Sequence, residues 1–208
     1  MSDALALIAH DLKNALGGLE TELSQLIDEP TPVMAQRAHL HCSELRRQFI
    51  QFLTLYGART NGLSALCEDE SPRELLAALQ RVWGVKLQME DSPVVIEVSE
   101  PSHAPAFWYF DHRLVQLALD AAIHNAVRFA RSKVWLDVRE RDGWLVWSVR
   151  DDGAGLGSAE PSHANATGLG TALSEAVAQV HRHANRTGHI SLAASPTGVG
   201  AEFTMALP

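Results

Sequence analysis

The sequence predicts an α+β chain in which an antiparallel helical hairpin precedes a two-layer α/β sandwich. The first sign is a stripe of Leu5, Ile8, Leu12, Leu16, Leu19, Leu23 and Leu26, recurring at steps of three or four. A second stripe follows a proline-containing break and runs through Met34, Ala38, His41, Leu45, Phe49, Phe52 and Tyr56. From Val94 onward the texture changes to short alternating runs separated by turn residues, which is the pattern of strands.

Taken in order, the first helix spans Ser2 to Asp28 and is stopped by Asp28-Glu29-Pro30-Thr31-Pro32, because proline lacks an amide donor and clashes with the preceding turn. The second spans Val33 to Tyr56, with Arg46, Arg47 and Gln48 turned away from its apolar side. Such narrow stripes want partner helices, and one hairpin cannot cover both, so two hairpins are expected to pair into a four-helix bundle. The boundaries read as a hairpin domain over 1–60, a linker over 61–71 that holds the acidic run Glu68-Asp69-Glu70, and a second domain over 72–208. That second domain opens with a helix from Pro72 to Trp83, proline suiting a first helical position. Strands are expected at Val94–Val98, Ala106–Phe110, Val134–Arg139 and Trp144–Val149, the last two joined by a turn at Asp142-Gly143. Helices are expected over Asp111–Ala130 and Thr171–His183, and a closing hairpin pairs His189–Ala194 with Ala201–Leu207.

Composition narrows the function classes. The 208 residues carry 17 basic and 25 acidic side chains, a net charge of −8, so a nucleic-acid partner has little electrostatic support. No run of apolar residues is long enough for a membrane helix, and the start lacks the basic flank and apolar core of a signal peptide. Cys42 and Cys67 fit neither metal-ligand spacing nor a disulfide framework. A soluble, cytoplasmic protein in a reducing compartment is the expectation. His39/His41 and His181/His183 stand two apart, which points each pair to different sides of a helix and away from metal binding.

Chemistry concentrates in four places. Asp151-Asp152-Gly153-Ala154-Gly155 ends a strand, where glycines admit a flat ligand and a carboxylate can accept from an exocyclic amine. Thr167-Gly168-Leu169-Gly170-Thr171 opens a helix, whose free amides favour an anion. Asn125 interrupts an apolar helix, and Arg128 lies three positions on, facing the same site. On the first helix, His10-Asp11-Leu12-Lys13-Asn14 places an imidazole off the leucine stripe, with Asp11 able to polarise one ring nitrogen and Asn14 one turn on.

In this order the motifs resemble the core of a bacterial two-component sensor histidine kinase, nearly from end to end. Asn125 and Arg128 match that family's N box, Asp151, Gly153 and Gly155 its first glycine box, and Gly168, Leu169 and Gly170 its second. The run from Asp111 to Leu117 is similar to the approach to the N box, the final hairpin to the family's usual close, and His10-Asp11-Leu12-Lys13-Asn14 to its phospho-acceptor box. The resemblance implies a sandwich of the GHKL (Bergerat) ATPase type and a homodimer formed through the hairpin. It implies ATP with Mg²⁺ as cofactors, the metal on Asn125. His10, Asp11 and Asn14 are then the catalytic residues, His10 being autophosphorylated. A response-regulator receiver domain takes the phosphoryl group, and Asn14 suggests phosphatase action on that regulator as well.

Two departures from the family pattern stand out. The polar residue usual four positions before Asn125 is Ala121 here, and Asp120, turned about 100 degrees around the helix, is poorly placed to substitute. The segment from Leu156 to Thr167, which joins the glycine boxes, is short and lacks phenylalanine. These favour a second reading, a histidine phosphotransfer or scaffold protein with a degenerate ATP domain that relays phosphate between receiver domains. A serine-kinase anti-sigma factor of the same ATPase superfamily is a third, opposed by the His10 hairpin.

Overall fold

The computed structural model of the chain describes residues 2–99, 104–156, 168–196 and 198–208. They fall into two compact units, one ending at Gly62 and the other taking the chain from Leu63 to Pro208 apart from a short segment ending at Leu169.

In the first unit, α1 (Ser2–Asp28) and α2 (Pro32–Gly57) form a hairpin, and a π-helical turn, Ala58–Gly62, follows. Thr31 caps α2, its hydroxyl accepting from the Met34 amide at 3.2 Å, with Pro32 in the first turn. Leu12 and Leu19 meet Ala38 and Leu45 in one buried cluster, backed by Ile8, Ala15 and Phe52. Glu22 adds a polar clasp, accepting from Arg37 Nε and pairing with His41 Nδ1, each at 3.1 Å. The leucine stripe is therefore divided. Leu12 and Leu19 face α2, whereas Leu16, Leu23, Phe49 and Leu53 remain exposed on this chain. Gln48, expected to face away from the packed side, is buried, its amide donating to Glu44, which also holds Arg47.

The second unit begins inside the segment expected as linker: β1 (Glu68–Glu70) pairs antiparallel with β3 (Trp108–Phe110). Between them lie α3 (Pro72–Met89) and β2 (Val95–Val98). Ser71 caps α3, which runs past the expected end at Trp83 because Gly84 is tolerated, Lys86 lies over the Trp83 ring at 4.3 Å and Leu87 is buried. Next come α4 (His112–Phe129), β4 (Lys133–Arg141), β5 (Trp144–Asp151), α5 (Leu169–Val180), the small strands β6 (Arg182–His183) and β7 (Arg186–Thr187), then β8 (His189–Ala194) and β9 (Ala201–Leu207). The main sheet runs β2-β4-β5-β9-β8, parallel between β2 and β4 and antiparallel elsewhere. Asp142 and Gly143, both at positive φ, turn β4 into β5.

One face of this sheet is the core. Val134, Leu136 and Val138 alternate inward along β4, joined by Leu145 and Trp147 of β5. Against them pack Leu75, Leu79 and Trp83 of α3 and Val115, Leu119 and Ile123 of α4. The helix expected to reach His183 stops at Val180. His181 is drawn inward instead, donating from Nδ1 to the Val177 carbonyl at 2.7 Å and accepting the Asp111 amide at Nε2, 3.0 Å away. Asp111 in turn caps α4 and accepts from the Leu66 amide at 2.8 Å.

Burial makes the imidazolium of His181 unfavourable and pushes its pKa below the ordinary value, against the opposing pull of the Val177 carbonyl and the Asp111 charge. The unfolded chain therefore takes up this proton more readily than the folded one. The stability His181 confers is present above the unfolded imidazole range, near pH ~6.5, and is lost as pH falls through it. Urea denaturation at about pH 7.5 and about pH 5.5 should show the second unit weaker at the lower pH. His181→Leu should flatten that difference and cost about 1–3 kcal/mol at the higher pH, since it strands the buried Asp111 amide.

Candidate nucleotide site

A cavity of about 310 Å³ opens between α4 and the strands β5, β9 and β8. Helix α4 presents Ala122, Asn125 and Phe129 to it, β5 contributes Val149 and Asp151, and Gly155 and Thr171 close it nearby. Its wall is mostly apolar, with Asn125 and Asp151 among its polar groups, the makeup of a site for a flat organic ligand with a few directed hydrogen bonds.

Asp151 is aimed by its surroundings. The residue is only 6% exposed, and its Oδ1 accepts from the Gly153 amide at 2.8 Å and the Ala201 amide at 3.3 Å. Gly153 serves space: a Cβ there would overlap the Phe129 carbonyl and the Asp151 carboxylate. Gly155, at φ +85, serves conformation. Gly200 serves both, with φ +81 and no room for a Cβ against the Asp151 carbonyl. Gly200 stands in the turn between β8 and β9 and is not among the site residues expected from the sequence.

Asp152, next in the motif, does other work. Its carboxylate accepts from the Arg131, Ser132 and Lys133 amides at 2.8 to 3.1 Å and from the Ser132 hydroxyl at 2.6 Å, joining the end of α4 to the start of β4. Partial burial resists its charge, but the Ser132 hydroxyl and these amides outweigh that and hold its carboxyl far below the usual range.

The remaining expected residues divide. Gly170 lies against the α4 face that carries Ala121 and Asn125, a Cβ built on it coming 3.5 Å from both side chains. Gly168 takes φ +64 ahead of α5, and Leu169 is that helix's first residue. Arg128 does not line the cavity; its guanidinium lies 5.8 Å from the Phe129 ring. Asp120 turns away to accept from Trp83 Nε1 at 2.9 Å, so it adds nothing beside Ala121. Of the joining segment, residues 157–167 lie outside the described residues. In the first unit α1 does bring His10, Asp11 and Asn14 together: the ring, 63% exposed, has Nδ1 3.1 Å from Asn14 Nδ2 and 3.7 Å from Asp11 Oδ1.

The contact between Gly200 and Asp151 is testable. Gly200→Ala should destabilise the second unit by on the order of 2–3 kcal/mol in chemical denaturation, combining positive-φ strain with overlap. It should also remove binding of a fluorescent adenine nucleotide.

Residues 110–208 match the family described as histidine kinase-, DNA gyrase B- and HSP90-like ATPase. No curated protein matches the sequence as a relative. Among solved structures, the histidine kinase AdeS of Acinetobacter baumannii aligns over 95% of this chain and 96% of its own, with TM-score 0.73 and 20% identity. The cytoplasmic segment of the histidine kinase QseC aligns over 78% and 94%, with TM-score 0.58 and 14% identity. Full-length ShkA, solved in complex with AMPPNP, aligns over the whole of this chain and 45% of its own, with TM-score 0.56 and 16% identity. These likenesses agree with the helical hairpin and the five-stranded sheet described above. Residues 110–208 thus resemble an ATPase domain of the histidine kinase-, gyrase B- and HSP90-like type, and the chain shares its fold with these solved structures.

Proposed function

We propose that this chain is an ATP-dependent protein-histidine kinase of a two-component system. The observation that carries the reading is the convergence of Asn125 and Asp151 on one largely apolar cavity, in a chain that exposes His10 between Asp11 and Asn14 on a separate helical hairpin.

Asp151, its Oδ1 occupied by two amides, offers its other oxygen to the exocyclic amine of adenine, while Phe129 and Val149 supply apolar surface for the base. Asn125 offers a carboxamide oxygen to Mg²⁺, an ion that typically takes few protein ligands and relies on substrate phosphates and water. That donor set fits, with Ala121 adding no ligand one turn earlier. When bound, the metal supplies charge neutralisation on the phosphates. His10 presents its outer nitrogen to the γ-phosphoryl group, and the phosphohistidine then serves an aspartate of a response-regulator receiver domain. Leu16, Leu23, Phe49 and Leu53, exposed on the single chain, suit pairing of two hairpins as a homodimer. Asn14 beside His10 suits a phosphatase role on the same regulator.

Ala121 supports a second reading, in which the ATP site is degenerate and His10 only relays phosphate between receiver domains. The two separate on one assay. With γ-labelled ATP and Mg²⁺, the kinase reading expects acid-labile label on wild type and none on His10→Ala. Asp151→Asn should weaken ATP binding about tenfold or more, as expected for a lost hydrogen bond to a charged acceptor. If wild type takes no label from ATP but accepts it from a phosphorylated receiver domain, the relay is correct.

A further inference from the structure

We propose that Asn14 sets the tautomer of the His10 imidazole and thereby holds its outer nitrogen in the unreactive form. The proposal rests on the kinase reading for its consequence, although not for the tautomer itself. His10 and Asn14 are four positions apart on α1 and share a face. The Asn14 amide nitrogen lies 3.1 Å from His10 Nδ1, and the Asp11 carboxylate lies 3.7 Å from the same atom.

These neighbours make opposite demands on one nitrogen. An amide N–H donates, so Nδ1 must offer its lone pair and the ring proton sits on Nε2. A carboxylate accepts, so Asp11 requires the proton on Nδ1 and leaves the lone pair on Nε2. Nε2 makes no hydrogen bond among the described residues, and it is a nucleophile only in the second form. There its lone pair forms a bond to the γ-phosphorus, and the bond from that phosphorus to the β,γ-bridging oxygen breaks. ADP leaves with those electrons, and the Nδ1 proton passes to Asp11 or to water. The amide contact is the shorter of the two, so the resting ring is held with its proton on Nε2. Exchange of Asn14 for Asp11 at Nδ1 then releases the nucleophile. Asn14 is a positioning residue in this scheme. Turning its carboxamide over would present Oδ1 and favour the opposite tautomer, so the experiment must read the proton directly.

The experiment is ¹H–¹⁵N correlation through the imidazole nitrogens of the ¹⁵N-histidine-labelled full chain, without nucleotide, at mildly alkaline pH where imidazoles are neutral. His10→Ala identifies the His10 signals among the 10 histidines. Wild type should show mainly the Nε2–H form. Asn14→Ala should move the ratio toward Nδ1–H by about twofold, the size of shift an exposed i,i+4 hydrogen bond can drive. Asn14→Asp should move it further, and Asp11→Asn in the opposite direction. With γ-labelled ATP, Asn14→Ala should raise the initial rate of His10 labelling by a similar factor at unchanged KM for ATP. A wild-type ring mainly in the Nδ1–H form, or a ratio unmoved by Asn14→Ala, overturns the proposal. If the tautomers shift as stated but ATP labels no variant, the proposal stands and the kinase reading fails.

Discussion

The candidate site depends on the absence of side chains around Asp151. Gly200 and Gly153 press against its backbone and carboxylate so closely that neither position admits a Cβ. That closeness is what lets the Gly153 and Ala201 amides reach Oδ1 and fix the carboxylate facing the cavity. Burying a carboxylate without such donors carries a large desolvation cost. With them it can remain an oriented acceptor in a mostly apolar wall, where a hydrogen bond to a ligand discriminates strongly because the alternative is an unsatisfied charge.

The N-terminal hairpin shows another constraint, that of limited apolar area on a pair of helices. Among the described residues, Leu12, Leu19, Ala38 and Leu45 form its buried cluster. Leu16, Leu23 and Phe49 of the same stripes stay exposed on the single chain. His10 escapes that cluster because its position lies off the stripe, which leaves the ring accessible.

Periodicity made the long elements legible. The leucine spacing located α1, and alternation located β4 and β5 with the Asp142-Gly143 turn between them. Tertiary contacts decided what local pattern could not. Trp83 stacking with Lys86 carries α3 past Gly84, and the buried bond from the Asp111 amide to His181 ends α5 early. Glu68–Glu70 looked like a solvated acidic linker because a three-residue edge strand has no period to display; its pairing to Trp108–Phe110 is a long-range event. At the site, Asn125, Asp151 and Gly155 could be placed from motif order, and the cavity brings them to one wall. Arg128 lies outside that lining. Gly200 was invisible as a site residue because its partner, Asp151, is distant in sequence.

Adjacent aspartates at the end of β5 look in opposite directions, Asp151 into the cavity and Asp152 onto the amides of residues 131–133. One peptide unit therefore joins the ligand-facing wall to the joint where α4 hands over to β4. The strand end and the helix that bears Asn125 share a common fastening and cannot drift independently. A group that settles against Asp151 therefore meets a strand end already tied, through the next residue, to the close of α4.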